Sequence, residues 1–111
     1  MAFKVLSLAH APDADYEKHR SAIDTGMYQL FTVVVQNQAE AVAVCLDFVE
    51  TKAINSVLLC PGFTHADVAE ISDAVGPGVG VCVARCDGPS SGSAKAAMER
   101  AGYPSRREGT S

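Results

Sequence analysis

Two histidines and one cysteine are the residues of this chain best suited to chemistry, because each lies beside a predicted turn. Cys60 and His65 lie on either side of a Pro61-Gly62 turn, and His10 precedes an Ala-Pro-Asp sequence. Histidine exchanges protons near neutral pH, so His10 or His65 is a candidate general acid or base. A thiol at a helix start can be activated, so Cys60 is a candidate nucleophile or pocket-shaping residue. The alternatives are that Cys60 only ends a core strand and that one histidine only hydrogen-bonds a loop.

A second group of residues predicts the binding of an anion. Arg85 and Asp87 follow a predicted strand, and Ser90 and Ser91 lie in a Gly-Ser loop before a predicted helix. A guanidinium binds carboxylate or phosphate through two parallel hydrogen bonds, so Arg85 is a candidate anion clamp. The serines offer hydroxyls and amides at the helix start, although the loop is neither a P-loop nor a G-x-G-x-x-G motif. The structural alternative is a salt bridge between Arg85 and Asp87, with the serines as helix caps.

An alternation of strands and helices must position these residues. Apolar, β-branched segments predict four strands, over residues 3–9, 30–35, 57–59 and 79–84. A weak apolar stripe predicts a helix over 16–25, for which a mobile flap is the alternative. Capping boxes at Asn37 and Thr64 predict the starts of two further helices, one running to about Lys52 and the other ending at Gly76. The last helix is predicted from a stripe of four residues: Ala94, Ala97, Met98 and Ala101.

One apolar face is also predicted for the helix that begins after Asn37. Val42, Cys45, Leu46 and Val49 follow the spacing of one helix face. Because free cysteine is among the most buried residue types, Cys45 is interpreted as an inert core thiol. Cys82 lies on a strand face of small residues and is likewise interpreted as structural.

The predicted fold is a single compact α/β domain over 1–104, with a flexible tail over 105–111. Alternating elements favour about four mostly parallel strands with helices on the faces of the sheet. Short right-handed connections favour the strand order 2-1-3-4, which opens a crevice where the chain reverses direction. The residues predicted at this crevice are His10 and Asp13 on one lip, Cys60, Phe63, Thr64 and His65 on the other, and Arg85 and Asp87 on the fourth strand.

Composition limits the classes of partner. The formal net charge is −4 and the pI is about 5.2, and no basic stripe is present, which argues against a nucleic-acid partner. No apolar run approaches the roughly 20 residues needed to cross a membrane, and no secretory signal is visible. The four cysteines contain no C-x-x-C pair, so we expect reduced thiols and a cytoplasmic protein. Uncovered outer strands and a small-residue sheet face favour a homo-oligomer.

A metal site is weakly supported. Its candidate ligands are His10, Cys60, His65, Cys86 and Asp87. These residues lack the spacing of a metal motif, so neither a metal nor another cofactor is predicted.

Three segments of the chain resemble one known family. They are the runs Leu-Ala-His-Ala-Pro-Asp-Ala-Asp from residue 8, Leu-Cys-Pro-Gly-Phe-Thr-His from residue 59, and Val-Ala-Arg-Cys-Asp-Gly-Pro-Ser-Ser from residue 83. They are similar to a family of small, uncharacterised bacterial proteins defined as a domain of unknown function, over roughly 1–102. The resemblance implies a compact α/β domain and transfers no activity.

Two classes of function remain open at this point. The leading hypothesis is a cofactor-independent enzyme that performs acid/base chemistry, such as isomerisation, cyclisation or elimination, on a small anionic organic molecule. Its alternative is a module that binds a small molecule or a protein without turnover.

Overall fold

The structure, a computed structural model, describes residues 1–85 and 91–104. The strands are β1 Phe3–His10, β2 Arg20–Asp24, β3 Tyr28–Val35, β4 Ser56–Leu59 and β5 Gly80–Val83. The helices are α1 Gln38–Lys52, α2 His65–Val75 and α3 Ser91–Arg100. The strands form a single sheet in the order β2-β3-β1-β4-β5. Four of them are parallel, and β2 runs antiparallel to β3 at one edge.

The α/β prediction is confirmed, with one change in the sheet. The four predicted strands correspond to β1, β3, β4 and β5, and they lie in the predicted order 2-1-3-4. The sheet is one strand wider than predicted and its parallel character ends at β2. Because β4 lies beside β1, the ends of these two strands are neighbours although they are far apart in the chain.

The predicted helix over 16–25 is wrong, since this segment contributes β2. The chain turns back through Gly26, whose φ of +98° suits glycine, and the Asp24 carboxylate accepts a hydrogen bond of 2.8 Å from the Gly26 amide. Every residue of β2 is exposed. Backbone pairing with β3 therefore decides the structure here, because the segment has too little apolar surface to hold a helix on the sheet.

The core lies between the sheet and two helices. Buried strand residues Leu6, Leu8, Val33, Val35, Val57 and Leu59 pack against buried residues of α1 and α2. The face that α1 buries consists of Ala41, Val44, Cys45 and Phe48. The predicted face is thus wrong by about one residue, and Leu46 is 45% exposed. The large Phe48 ring selects between two overlapping stripes of equal spacing, because it buries more apolar area than Val49.

Both predicted helix starts are found, with different cap chemistry. At α2, Thr64 and Asp67 form the reciprocal capping box, with bonds of 3.0 Å and 3.1 Å. At α1, the Asn37 side chain accepts from the Glu40 amide, but the Glu40 carboxylate accepts from the amide of Gln36. Each arrangement satisfies amides that a helix start leaves without an intrahelical partner.

The second face of the sheet is not covered by α1 or α2. We call it the open face. The strand register assigns it Phe3, Val5, Ser7, Ala9, Ser21, Ile23, Tyr28, Leu30, Thr32, Val34, Ser56, Leu58, Gly80 and Cys82. The connections through α1 and α2 both step the same way across the sheet, so right-handedness places both helices on one face. The connection that steps the other way, from β1 to β3, contains β2 instead of a helix.

Candidate functional site

The ends of three neighbouring parallel strands form the edge where the site residues lie. The Cys60 amide donates to the Leu8 carbonyl at 3.1 Å, and the Ala84 amide donates to the Leu59 carbonyl at 2.8 Å. These bonds continue the pairing of β1 with β4 and of β4 with β5 by one residue. His10, Cys60 and Arg85 therefore leave the sheet side by side, as the strand order predicts.

The His10 ring is held against a buried aromatic side chain. Its centroid lies 4.0 Å from that of Phe63, with 29° between the planes, and Phe63 is only 4% exposed. The Phe63 amide donates to the Cys60 carbonyl at 3.3 Å, which closes the Pro61-Gly62 turn. The turn after β4 thus supplies the surface on which the histidine at the end of β1 is oriented.

Gly62 lies close to both candidate catalytic groups. A Cβ atom at Gly62 would be 3.6 Å from the Cys60 Sγ atom and 3.6 Å from the His10 Nδ1 atom. The thiol and the imidazole therefore flank the same point at the strand ends. Sequence reasoning missed this role of Gly62, because a Pro-Gly pair signals only a turn.

The start of α2 is less suited to an anion than its position suggests. Thr64 is 2% exposed, and its hydroxyl accepts from the Asp67 amide. The Asp67 carboxylate in turn accepts from the Thr64 amide, which puts a negative charge at this helix end. Thr64 is thus a helix cap, and an anion at this edge would depend on Arg85. His65 is the first residue of α2 and is exposed.

Some of the other predicted site residues are described by the structure and others are not. Arg85 is exposed at the end of β5, and Asp13 is exposed in the loop after β1. Ser91 is half-buried at the start of α3. Asp87 and Ser90, with Cys86, lie outside the described residues. The strand ends therefore collect His10, Cys60 and Phe63 closely, with Arg85 following the neighbouring strand.

The three described cysteines are free thiols in different environments. Cys45 is fully buried in the core, as predicted, and burial raises the pKa of its thiol to about 12. Cys60 is half-buried beside Gly62. Cys82, interpreted from sequence as structural, is exposed on the open face. Cys60 is thus the described cysteine that is placed beside a histidine at the strand ends.

The surroundings of the site limit what it can hold. Among residues 1–85 and 91–104, no three His, Cys, Asp or Glu side chains gather closely enough to bind a metal ion. Two surface depressions lie away from His10, one lined by Ser72, Asp73, Gly76, Pro77 and Val79, the other by Tyr16, Arg20, Ala43, Val44 and Asp47.

Within the same described ranges, no helix is long and apolar enough to cross a bilayer.

One family model matches most of the chain. The family model described as a family of unknown function, DUF6506, matches residues 2–99. The chain belongs to this family. The DUF6506 match includes the β1 end, the β4 turn and the β5 end, so it covers the described site. No curated protein and no solved structure matches the chain.

Proposed function

We propose that this DUF6506 protein binds a small organic anion at the ends of β1, β4 and β5 and performs acid/base chemistry on it without a cofactor. The observation that carries the proposal is the His10 imidazole, stacked on buried Phe63 and sharing the space at Gly62 with the Cys60 thiol. A histidine fixed by packing can move a proton in a defined direction. Isomerisation, cyclisation and elimination are reaction types that proceed by such proton transfer.

In this proposal, the chemistry of each side chain determines its role. His10 moves the proton. Cys60 shapes the surface that the substrate contacts, or it gives its proton to His10, adds to an electrophilic carbon of the substrate and is expelled again as the product forms. Arg85 holds the anionic group, because a guanidinium offers paired donors at the end of the strand next to Cys60. His65, exposed at the first position of α2, is the second candidate for proton transfer.

The alternative function is a binding module without turnover. It is favoured by the exposure of Arg85 and His65, because a catalytic site usually excludes water around its reacting groups. In that case the same strand ends hold a small molecule or a partner protein, and no group needs to move a proton.

The finer features of the setting are part of the proposal. Free thiols at Cys45, Cys60 and Cys82 support a reducing, cytoplasmic environment. The uncovered sheet face supports a homo-oligomer.

The binding proposal is tested with thermal midpoints measured against a panel of sugar phosphates, keto acids and other anionic metabolites. A ligand that binds only the folded state at 100 times its Kd adds about 2.7 kcal/mol, and we expect a rise of about 10 °C or more. The rise should disappear in Arg85→Ala and persist in Arg100→Ala, which removes an exposed arginine elsewhere. No rise with any compound would contradict the small-molecule proposal.

Gly62→Ala supplies a steric test of the same site. The added methyl group meets Cys60 and His10 at ordinary contact distance, and Gly62 has no positive φ, so stability should be kept. We expect unchanged folding with at least tenfold weaker binding, since the methyl fills the space between the two groups. Equal affinity in Gly62→Ala would place the ligand elsewhere.

His10→Gln separates the enzyme from the binding module. In an enzyme, product formation followed by NMR falls by about 100-fold or more while the ligand-induced rise in midpoint remains. In a module without turnover, wild type forms no product from any stabilising compound.

A further inference from the structure

We propose that the open face is the interface of a homodimer, in which α3 of each copy packs on the open face of the other. The inference is independent of the chemistry proposed for His10. It rests on two exposed apolar surfaces, the open face and one face of α3, which can cover each other.

The open face is apolar and free of charge. None of its 14 residues is charged, although the chain has 13 acidic and 9 basic residues. Four of its large side chains are well exposed: Phe3 at 51%, Ile23 at 57%, Tyr28 at 38% and Leu58 at 39%. Mostly parallel sheets are covered on both faces, and contiguous exposed apolar surface marks an interaction site.

The helix α3 is the matching surface. Its stripe of Ala94, Ala97, Met98 and Ala101 is exposed, with Met98 at 47%, and none of the residues of α3 is buried. A helix with small apolar residues on one face can approach a sheet closely. Ser7, Ala9, Ser56 and Gly80 on the open face leave room for it.

Charge does not oppose a second copy at the open face. The chain carries a net charge of −4, so two copies repel each other through most of their surfaces. The uncharged open face and the apolar stripe of α3 are where two copies can meet without bringing like charges together. In a two-fold dimer the same contact is made twice, once by each α3.

The area needed for a stable dimer requires both surfaces. From the strand lengths and ordinary strand spacing, the open face covers about 460 Å² in projection. A standard interface buries about 800 Å² on each partner. The sheet face alone is smaller than this value, so a contact of standard size has to include α3 as well.

The experiment measures mass in solution by light scattering during gel filtration, with the full chain at about 200 μM. We expect wild type to be a dimer and both Leu58→Glu and Met98→Glu to be monomers. Leu46→Glu is the matched control, because Leu46 is exposed to a similar degree on α1, away from the open face, and should leave the dimer intact. Circular dichroism establishes that each variant is folded.

Alkylation of Cys82, followed by mass spectrometry, reports on the open face itself. In wild type the rate should fall at least tenfold between dilute and concentrated protein, and in Leu58→Glu it should not change. A wild-type monomer with an accessible Cys82 would overturn the dimer. A monomer whose Cys82 becomes accessible only in Met98→Glu would show that α3 covers its own chain. A dimer that survives both Leu58→Glu and Met98→Glu would place the interface elsewhere.

Discussion

At the scale of single residues, Cys45 links the core to pH. Its thiol stays neutral in the folded chain up to a pKa of about 12, while in the unfolded chain it ionises from about 9. The folded-state pKa is raised, so the stabilising contribution is complete below pH 9 and is lost as pH rises towards 12. The chemical inertness predicted for Cys45 and its alkaline sensitivity have the same cause, which is burial.

We therefore predict a pH-dependent difference between wild type and Cys45→Ala. Above pH 9, the free energy of unfolding of wild type should fall more steeply, by about 1.4 kcal/mol per pH unit, because one more proton is released on unfolding. Urea titrations between pH 8 and pH 10.5 measure both slopes, and the other titrating groups cancel in the difference. Equal slopes would show that the thiol ionises in the folded chain.

At the scale of elements, the end of α1 stores avoidable strain. Ala53, which follows the last turn, has φ 53° and ψ 50°, a left-handed conformation that costs an L-residue about 1 kcal/mol. Glycine adopts this conformation without that cost. The chain thus uses a residue here that its own backbone disfavours.

Ala53→Gly should therefore raise the free energy of unfolding by about 0.5 to 1 kcal/mol, as measured by urea denaturation. Ala43→Gly is the control at an exposed position inside α1, where glycine costs about 1 kcal/mol. The two substitutions are chemically identical and should have opposite signs. A loss of stability in both would mean that Ala53 contributes contacts that outweigh its strain.

The elements also show where sequence reasoning succeeds. The four parallel strands and their order follow from apolar runs, turn signals and the handedness of connections. The prediction of a helix over 16–25 fails because backbone pairing with β3 holds β2 in the sheet. The periodicity of side chains does not reveal such pairing. The prediction of the buried face of α1 fails because Val49 and Phe48 fit two overlapping stripes. Only packing against the sheet selects one of these stripes. Gly62 has no side chain to suggest a role, so its closeness to both His10 and Cys60 appears only in three dimensions.

At the scale of the whole molecule, stability should depend on protein concentration. A dimer that unfolds to two chains is stabilised by mass action, and a 100-fold rise in concentration is worth about 2.7 kcal/mol. We expect the thermal midpoint of wild type to rise by about 5 to 10 °C between 2 μM and 200 μM. The midpoint of Leu58→Glu should stay constant, and that of Leu46→Glu should follow wild type. A constant wild-type midpoint would contradict coupled folding and assembly.

In the proposed dimer, the hairpin that takes the place of a helix between β1 and β3 links the length of one connection to the number of subunits. A helix in that connection would lie across the open face and leave the order of the strands unchanged. An engineered insertion of about 12 residues before β2 that folds as such a helix should therefore cover the open face and yield a monomer. With the short connection seen here, the proposed dimer covers the open face instead, so such an insertion would change the assembly without altering the strand ends that carry His10 and Cys60.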